Sequence, residues 1–268
     1  MTRDSTDIRV EAGGDGVVVV TLDRPAALNA YTTRMCEQLA DALDGFARAD
    51  DQRVLVLTGA GRGFCAGGDL RGDAEETKAA ERQLGHAVVM REGMHAVVRR
   101  LAALDKPTIA MVNGPAVAGG LTLALACDLR IAADTAVLGD PSGTAGLLPD
   151  EGGAWLFPRA MGLDAALKMV LLGETYGAEQ ARALGLVTEV VPAAELRKRT
   201  MQLAGALAAR APLAVRLAKR MMRRGLELTL DQSLGDAELA VLVTNDSDDA
   251  REGVEAFRGR RPPVFRGR

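Results

Sequence analysis

The stretch Asn113-Gly114-Pro115-Ala116-Val117-Ala118-Gly119-Gly120-Leu121 follows an apolar run at 108–112, and Gly63-Phe64-Cys65-Ala66-Gly67-Gly68-Asp69-Leu70 follows another at 54–59. Both runs are short, apolar and closed by glycine or Asn-Gly, the pattern of buried strands. Glycine after a strand lets the backbone turn sharply and come close to a ligand. A helix that opens there leaves its first N–H groups without internal acceptors. Two such turns can aim one main-chain N–H each at a single oxygen, which is an oxyanion hole. The plainer alternative is a pair of strand-to-helix turns with glycine for close packing. Neither stretch has the glycine spacing of a dinucleotide or nucleoside-triphosphate loop.

Outward from these turns, residues 16–22 read as a β-branched strand that Asp23-Arg24-Pro25 stops. From Thr32 the apolar positions Met35, Leu39, Leu43 and Phe46 predict a helix. Residues 72–95 are charged and weakly periodic, which suits an exposed helix or a mobile segment beside a pocket. A helix over 94–104 precedes the strand at 108–112, and a fourth strand at 129–132 precedes a loop over 139–153. The rest reads as helical except 187–191. The expectation is an α/β core over 1–195 and a helical segment over 196–268, with no residue-level repeat visible.

The 268 residues suffice for a core without disulfide or metal support. Hydrophobic residues at 48% and charged residues at 26% are ordinary for a packed domain, while 3% aromatics imply close packing of small side chains. A net charge of −3 argues against nucleic acid as a partner, although the tail from Arg258 is locally basic. Cys36, Cys65 and Cys127 form no ligand spacing, as a reducing cytoplasm would leave them, and no apolar run reaches the length of a membrane span.

The two glycine stretches do not stand alone. Asp23-Arg24-Pro25-Ala26-Ala27-Leu28-Asn29-Ala30, Ala126-Cys127-Asp128-Leu129-Arg130-Ile131-Ala132, Gly146-Leu147-Leu148-Pro149, Ala183-Leu184-Gly185-Leu186-Val187 and Arg251-Glu252-Gly253-Val254-Glu255-Ala256-Phe257 accompany them. In order and spacing the set resembles the enoyl-CoA hydratase/isomerase (crotonase) superfamily over about residues 8–268. The resemblance implies a crotonase-like spiral of repeated ββα units with a helical C-terminal extension used in trimerisation, giving a homotrimer or hexamer. It implies an acyl-CoA substrate, with coenzyme A as part of the thioester and no permanently bound cofactor. Gly68 and Gly119 would donate the two oxyanion N–H groups. Ala66, Asp69 and Leu70 would line the same loop, the backbone near Ala26 and Leu28 would receive the coenzyme, and Arg24 would meet a phosphate. Phe257 and Arg260 would reach the coenzyme of a neighbouring subunit, or simply belong to a solvated basic tail.

One departure bears on the reaction. Hydratases of the superfamily position water with two glutamates, and Thr122 and Ser142 stand at those positions here. Neither can act as a carboxylate base. Asp150 instead matches the aspartate with which similar double-bond isomerases move a proton, and which serves as nucleophile in a related dehalogenase. Glu151 would be a second acid or face solvent, and Asp150 has the alternative of capping the next helix. An isomerase is the favoured reading. An atypical hydratase, thioester hydrolase or decarboxylase, with Thr122 or Ser142 organising water, and a non-catalytic coenzyme-binding protein are the alternatives. His86 and His95 read as exposed packing, Cys65 as a packed thiol, and Trp155 and Phe157 as core or as the wall of a bulky acyl pocket.

Overall fold

The computed structural model describes residues 6–70 and 75–268. Strands β1 (Ile8–Gly14) and β2 (Val17–Leu22) form an antiparallel hairpin. Helix α1 (Thr33–Arg48) leads from it to β3 (Val54–Gly59), which runs parallel to β2. The Thr32 hydroxyl caps α1 by accepting from the Met35 N–H at 3.1 Å, and the predicted stripe Met35, Leu39, Leu43 and Phe46 is buried. Helices α2 (Glu75–Leu84), α3 (His86–Glu92) and α4 (Met94–Ala103) precede β4 (Thr108–Val112). The charged segment 72–95 is thus helical over most of its length, residues 72–74 lying outside the described ones.

After β4 come β5 (Ala116–Val117) and α5 (Gly119–Ala126), then β6 (Leu129–Ala133), β7 (Val137–Gly139) and α6 (Gly153–Met161). Helix α7 (Leu163–Leu172), β8 (Thr175–Gly177), α8 (Ala178–Ala183) and β9 (Glu189–Val191) complete this part. Six strands form a large sheet, ordered β1-β2-β3-β4-β6-β9, and three a small one, ordered β5-β7-β8, so that in β4/β5 and β6/β7 the first strand joins the large sheet and the second the small one. A bridge from Cys65 to Ala116 carries the turn after β3 to the edge of the small sheet. The chain therefore winds as a spiral of ββα units, as the resemblance implied.

Alternation along the central strands explains why they read as continuous apolar runs. Val18, Val20, Leu22, Leu55, Leu57, Ala110 and Val112 face one core with α1, α4 and α5. Val17, Val19, Val54, Val56, Ile109, Met111 and Ile131 face a second core under α9 (Leu196–Ala208). A parallel sheet covered on both faces needs apolar side chains at every position. Leu196, Ala204 and Ala208 of α9 are buried in this second core, and three further helices follow it. These are α10 (Pro212–Gly225), α11 (Leu230–Thr244) and α12 (Asp248–Gly259). Helices α10 and α11 bury no residue, and Met222, Leu226, Leu230, Leu239 and Leu242 are exposed. Ion pairs from Lys219 and Arg223 to Asp128, each 2.7 Å, dock α10 on the core. Among the described residues no helix is long and apolar enough to cross a membrane.

Candidate active site

The two glycine turns are laced together by main-chain bonds. Pro115 O accepts from the N–H groups of Phe64 and Cys65, each at 3.0 Å, and Cys65 O accepts from the Val117 N–H at 3.1 Å. Gly67 has φ +89°, and its carbonyl accepts from the Tyr31 N–H at 2.9 Å. Helix α5 presses so closely on this turn that a Cβ at Gly120 would collide with the Cys65 carbonyl. Asn29, in the left-handed conformation at φ 58°, donates through Nδ2 to Ala60 O and Gly63 O at 2.9 and 2.8 Å. Arg24 donates to Ala30 O at 2.6 Å and to Asp69 Oδ2 at 2.8 Å, tying the segment before α1 to the residue after Gly68.

Within this frame the N–H groups of Gly68 and Gly119 are donated to no acceptor among the described residues. Gly119 opens α5, so its N–H also carries the partial positive charge of a helix N-terminus. Ala118 just before it is held at φ 51°, ψ −125°, a strained conformation for a residue with a side chain, and its N–H is donated to Gly139 O at 3.0 Å. A Cβ at Gly67 would lie 3.6 Å from the Gly119 nitrogen, which shows how closely the two turns approach.

A carboxyl and a phenol complete the corner. Glu151 is 5% exposed, and its Oε1 lies 2.6 Å from where a Gly119 Cβ would stand. The Tyr31 hydroxyl donates to Glu151 Oε1 at 2.9 Å, while Oε2 is buried without a partner among the described residues. The Tyr31 ring borders both glycines: Cε1 is 2.7 Å from the Gly119 Cβ position and Oη 3.3 Å from that of Gly68. Burial pushes the Glu151 carboxyl up from 4.5 to about 7; its own main-chain N–H and the Tyr31 hydroxyl pull it down, and Asp150 adds to the rise. Burial and the Glu151 charge push the Tyr31 phenol far up, so it stays a neutral donor. Beyond the carboxyls lies a groove of about 1270 Å³, lined by Asp150, Glu151, Val98, Leu125, Trp155 and Met222 among others.

Undonated amides at Gly68 and Gly119 beside a protonatable carboxyl suit a developing oxyanion and a mobile proton, and the sequence profile for enoyl-CoA hydratase/isomerase matches residues 12–268. The chain belongs to the enoyl-CoA hydratase/isomerase family. Within this family, 1,2-epoxyphenylacetyl-CoA isomerase of Escherichia coli is 40% identical over 94% of this chain and 96% of its own length. The 2,3-dehydroadipyl-CoA hydratase of the same organism is 37% identical over 94% of this chain and 96% of its own length. An enoyl-CoA hydratase from Bacillus anthracis, solved by crystallography, superposes with a TM-score of 0.91 at 32% identity, covering 98% of this chain and 100% of that one.

Among the residues singled out from the sequence, Gly68, Gly119 and Glu151 come together, and Ala66 and Asp69 lie in the same pinned turn. Asp150 is exposed beside Glu151, with its main-chain carbonyl against His95 Nε2 at 2.7 Å. It does not cap α6, whose N-cap is Gly152. Of the two neighbouring carboxyls, the side chain set against Gly119 is that of Glu151. Arg24 has a side chain 17% exposed and is held by Asp69 and the Ala30 carbonyl. Leu28 packs against Gly63 and accepts from the Ala66 N–H, while Ala26 and Leu70 are exposed at the rim. Thr122 is fully buried with its hydroxyl unpartnered, one turn along α5 from Gly119. Ser142 donates its N–H to Asp140 Oδ1 at 3.0 Å, and its hydroxyl makes no hydrogen bond to the cluster. Phe257 and Arg260 are exposed at the end of α12, outside the cluster, and Arg261 is paired with Glu252. Phe157 is core, whereas Trp155 lines the groove. Cys65 is buried, its thiol pushed up to about 12 by that burial. Tyr31 was not anticipated. It stands one residue beyond the quoted Asp23–Ala30 motif, and an uncharged residue at the start of a helix gives no catalytic signal.

Proposed function

We propose that this chain isomerises a double bond in an acyl-CoA thioester through an enolate, with Gly68 and Gly119 holding the oxygen and the adjacent Glu151 and Asp150 carboxyls moving the proton. The observation that carries this reading is the buried Glu151 carboxyl, one oxygen uncommitted, set against the glycine that opens α5. The carboxylate takes a proton from one carbon of the acyl group. The C–H electron pair passes through the conjugated system to the thioester oxygen, where the amides receive it. The same carboxyl returns the proton to another carbon, so nothing is added or lost. One shuttling group suffices for this, whereas Thr122 and Ser142 stand where two-glutamate hydration needs carboxylates.

The groove beyond Glu151 supports an acyl chain that runs from the glycines past the carboxyls toward α10, and its apolar wall suits a bulky or cyclic group. The epoxyphenylacetyl-CoA relative supports this preference. Coenzyme A enters as part of the substrate, and the proposed steps call for no metal or redox cofactor. The apolar face left open on α10 and α11 supports assembly into a trimer or hexamer. The bacterial relatives fit a cytoplasmic address.

A panel of acyl-CoA thioesters incubated in D2O and read by mass spectrometry tests the proposal. The expected result is an isomerised product that gains deuterium only by exchange, with no exchange in the Glu151→Gln, Asp150→Asn double variant. Addition of water would favour the hydratase alternative, for which the dehydroadipyl-CoA relative is a precedent. Binding without any exchange across the panel would leave a coenzyme-binding protein.

A further inference from the structure

We propose that Tyr31 is a positioning residue that dedicates the two oxygens of Glu151 to different tasks, Oε1 to the phenol and Oε2 to the proton taken from substrate. This deepens the isomerase reading and rests on it. The Tyr31 hydroxyl donates to Oε1 at 2.9 Å, and Oε2 is buried with no partner among the described residues. A free carboxylate can turn about its last side-chain bond and exchange its oxygens. Here the phenol resists that turn, because the ring cannot follow.

Tyr31 is itself held at both ends. Its N–H is donated to Gly67 O at 2.9 Å, and its carbonyl accepts from the Asp69 N–H at 3.1 Å, so the residue is stitched into the turn that carries Gly68. The ring then passes alongside the Gly119 Cβ position at 2.7 Å. One side chain thus sets the distance between the oxyanion amides and the proton-carrying oxygen. A phenol in this position also partly offsets the cost of burying an ionised carboxylate, because the charged form keeps one strong hydrogen bond.

The groups that face Glu151 are few. Asp150 lies beside it and raises its pKa, both by its charge and by a side-chain hydrogen bond to the protonated form, and the Glu151 charge raises the Cys65 thiol. The Cys36 and Cys65 thiols act on Tyr31, each raising its phenol. His95 meets only the Asp150 carbonyl. Of these neighbours, Tyr31 is the one whose side chain lowers the carboxyl. Removing the hydroxyl should therefore move the ionisation of Glu151 upward, whereas a residue that merely fills space would leave it in place.

The test is Tyr31→Phe, alone and combined with Glu151→Gln. In the single variant kcat should fall about tenfold to a hundredfold, the worth of one hydrogen bond to a charged group, with KM nearly unchanged. The rise of activity with pH should shift to higher pH. In the Glu151→Gln background the same change should cost little further, because the two side chains act as one unit. An equal loss in both backgrounds would overturn the proposal. A titration of the protein carrying 13C-labelled glutamate carboxyls reads Glu151 directly: its pKa should rise in Tyr31→Phe, and an unmoved value overturns the inference. That titration does not depend on turnover, so an inactive wild-type protein would count against the isomerase reading and leave the role of Tyr31 to be judged on its own.

Discussion

The glycine turns and the Pro149–Gly153 turn meet at one corner, yet they are built by different means. The first presents main-chain amides held by strand pairing, with Phe64, Cys65 and Val117 bonded across the gap. The second presents side chains on a short turn before α6, where two adjacent carboxyls differ in burial: Glu151 is buried and Asp150 exposed. A donor made of backbone follows wherever the strands go. A side-chain carboxyl follows only if the local turn directs it inward, and here the inward direction falls to the second of two acidic neighbours.

Substitutions can break or sharpen this contrast. The largest effect is expected from Gly119→Ala, since the new Cβ would lie 2.6 Å from Glu151 Oε1 and 2.7 Å from the Tyr31 ring. Both halves of the corner are then displaced, and kcat should fall by about a thousandfold or more, measured with substrate at saturation. Glu151→Gln should lower kcat by about a hundredfold to ten-thousandfold, the usual worth of a proton-transferring group. Asp150→Asn should cost less. If Asp150→Asn proves the more damaging of the two, the exposed carboxyl is the shuttle and the comparison fails.

The pH profile sharpens the same point. Glu151 is held at about 7, so kcat/KM should rise with pH through that value and level off above it. The Asp150 charge raises this value and the Tyr31 bond lowers it, so Asp150→Asn should move the rise to lower pH and Tyr31→Phe to higher pH. Stability carries the matching sign. A raised carboxyl favours the folded state fully below its unfolded value near 4.5, and that contribution is lost as pH rises through about 7. Chemical denaturation at pH 5 and pH 8 should show the wild type losing more stability over this range than Glu151→Gln. The smallest effect belongs to Ala118→Gly, which removes a side chain from a left-handed position. Stability should change by about 1 kcal/mol or less, upward, as relief of strain offsets the flexibility of glycine.

How much of this was legible in the sequence follows from the same division. β2, β3 and β4 announced themselves because both faces of a covered parallel sheet demand apolar side chains. The glycines were legible because close approach of α5 to Cys65 and the positive φ of Gly67 leave few alternatives. β5, β7 and β8 were not, since strands of two or three residues carry no periodicity to read. The edge strand β1 was also missed, its residues mostly exposed and its apolar positions interrupted by Arg9 and Glu11 and closed by two glycines. Spacing placed two carboxyls after Pro149, but their directions depend on Gly152 at φ +114°, which no pattern of apolar residues encodes. Tyr31 joins Glu151 across 120 positions of chain, a contact that only the folded spiral creates.

The central claim is that the amides of Gly68 and Gly119 polarise one thioester carbonyl. Isotope-edited infrared spectroscopy of a bound acyl-CoA labelled with 13C at that carbonyl reads it most directly. The account predicts a stretching band at distinctly lower frequency than in solution, restored toward the solution value in Gly119→Ala. A bound carbonyl that absorbs where the free thioester does would contradict it.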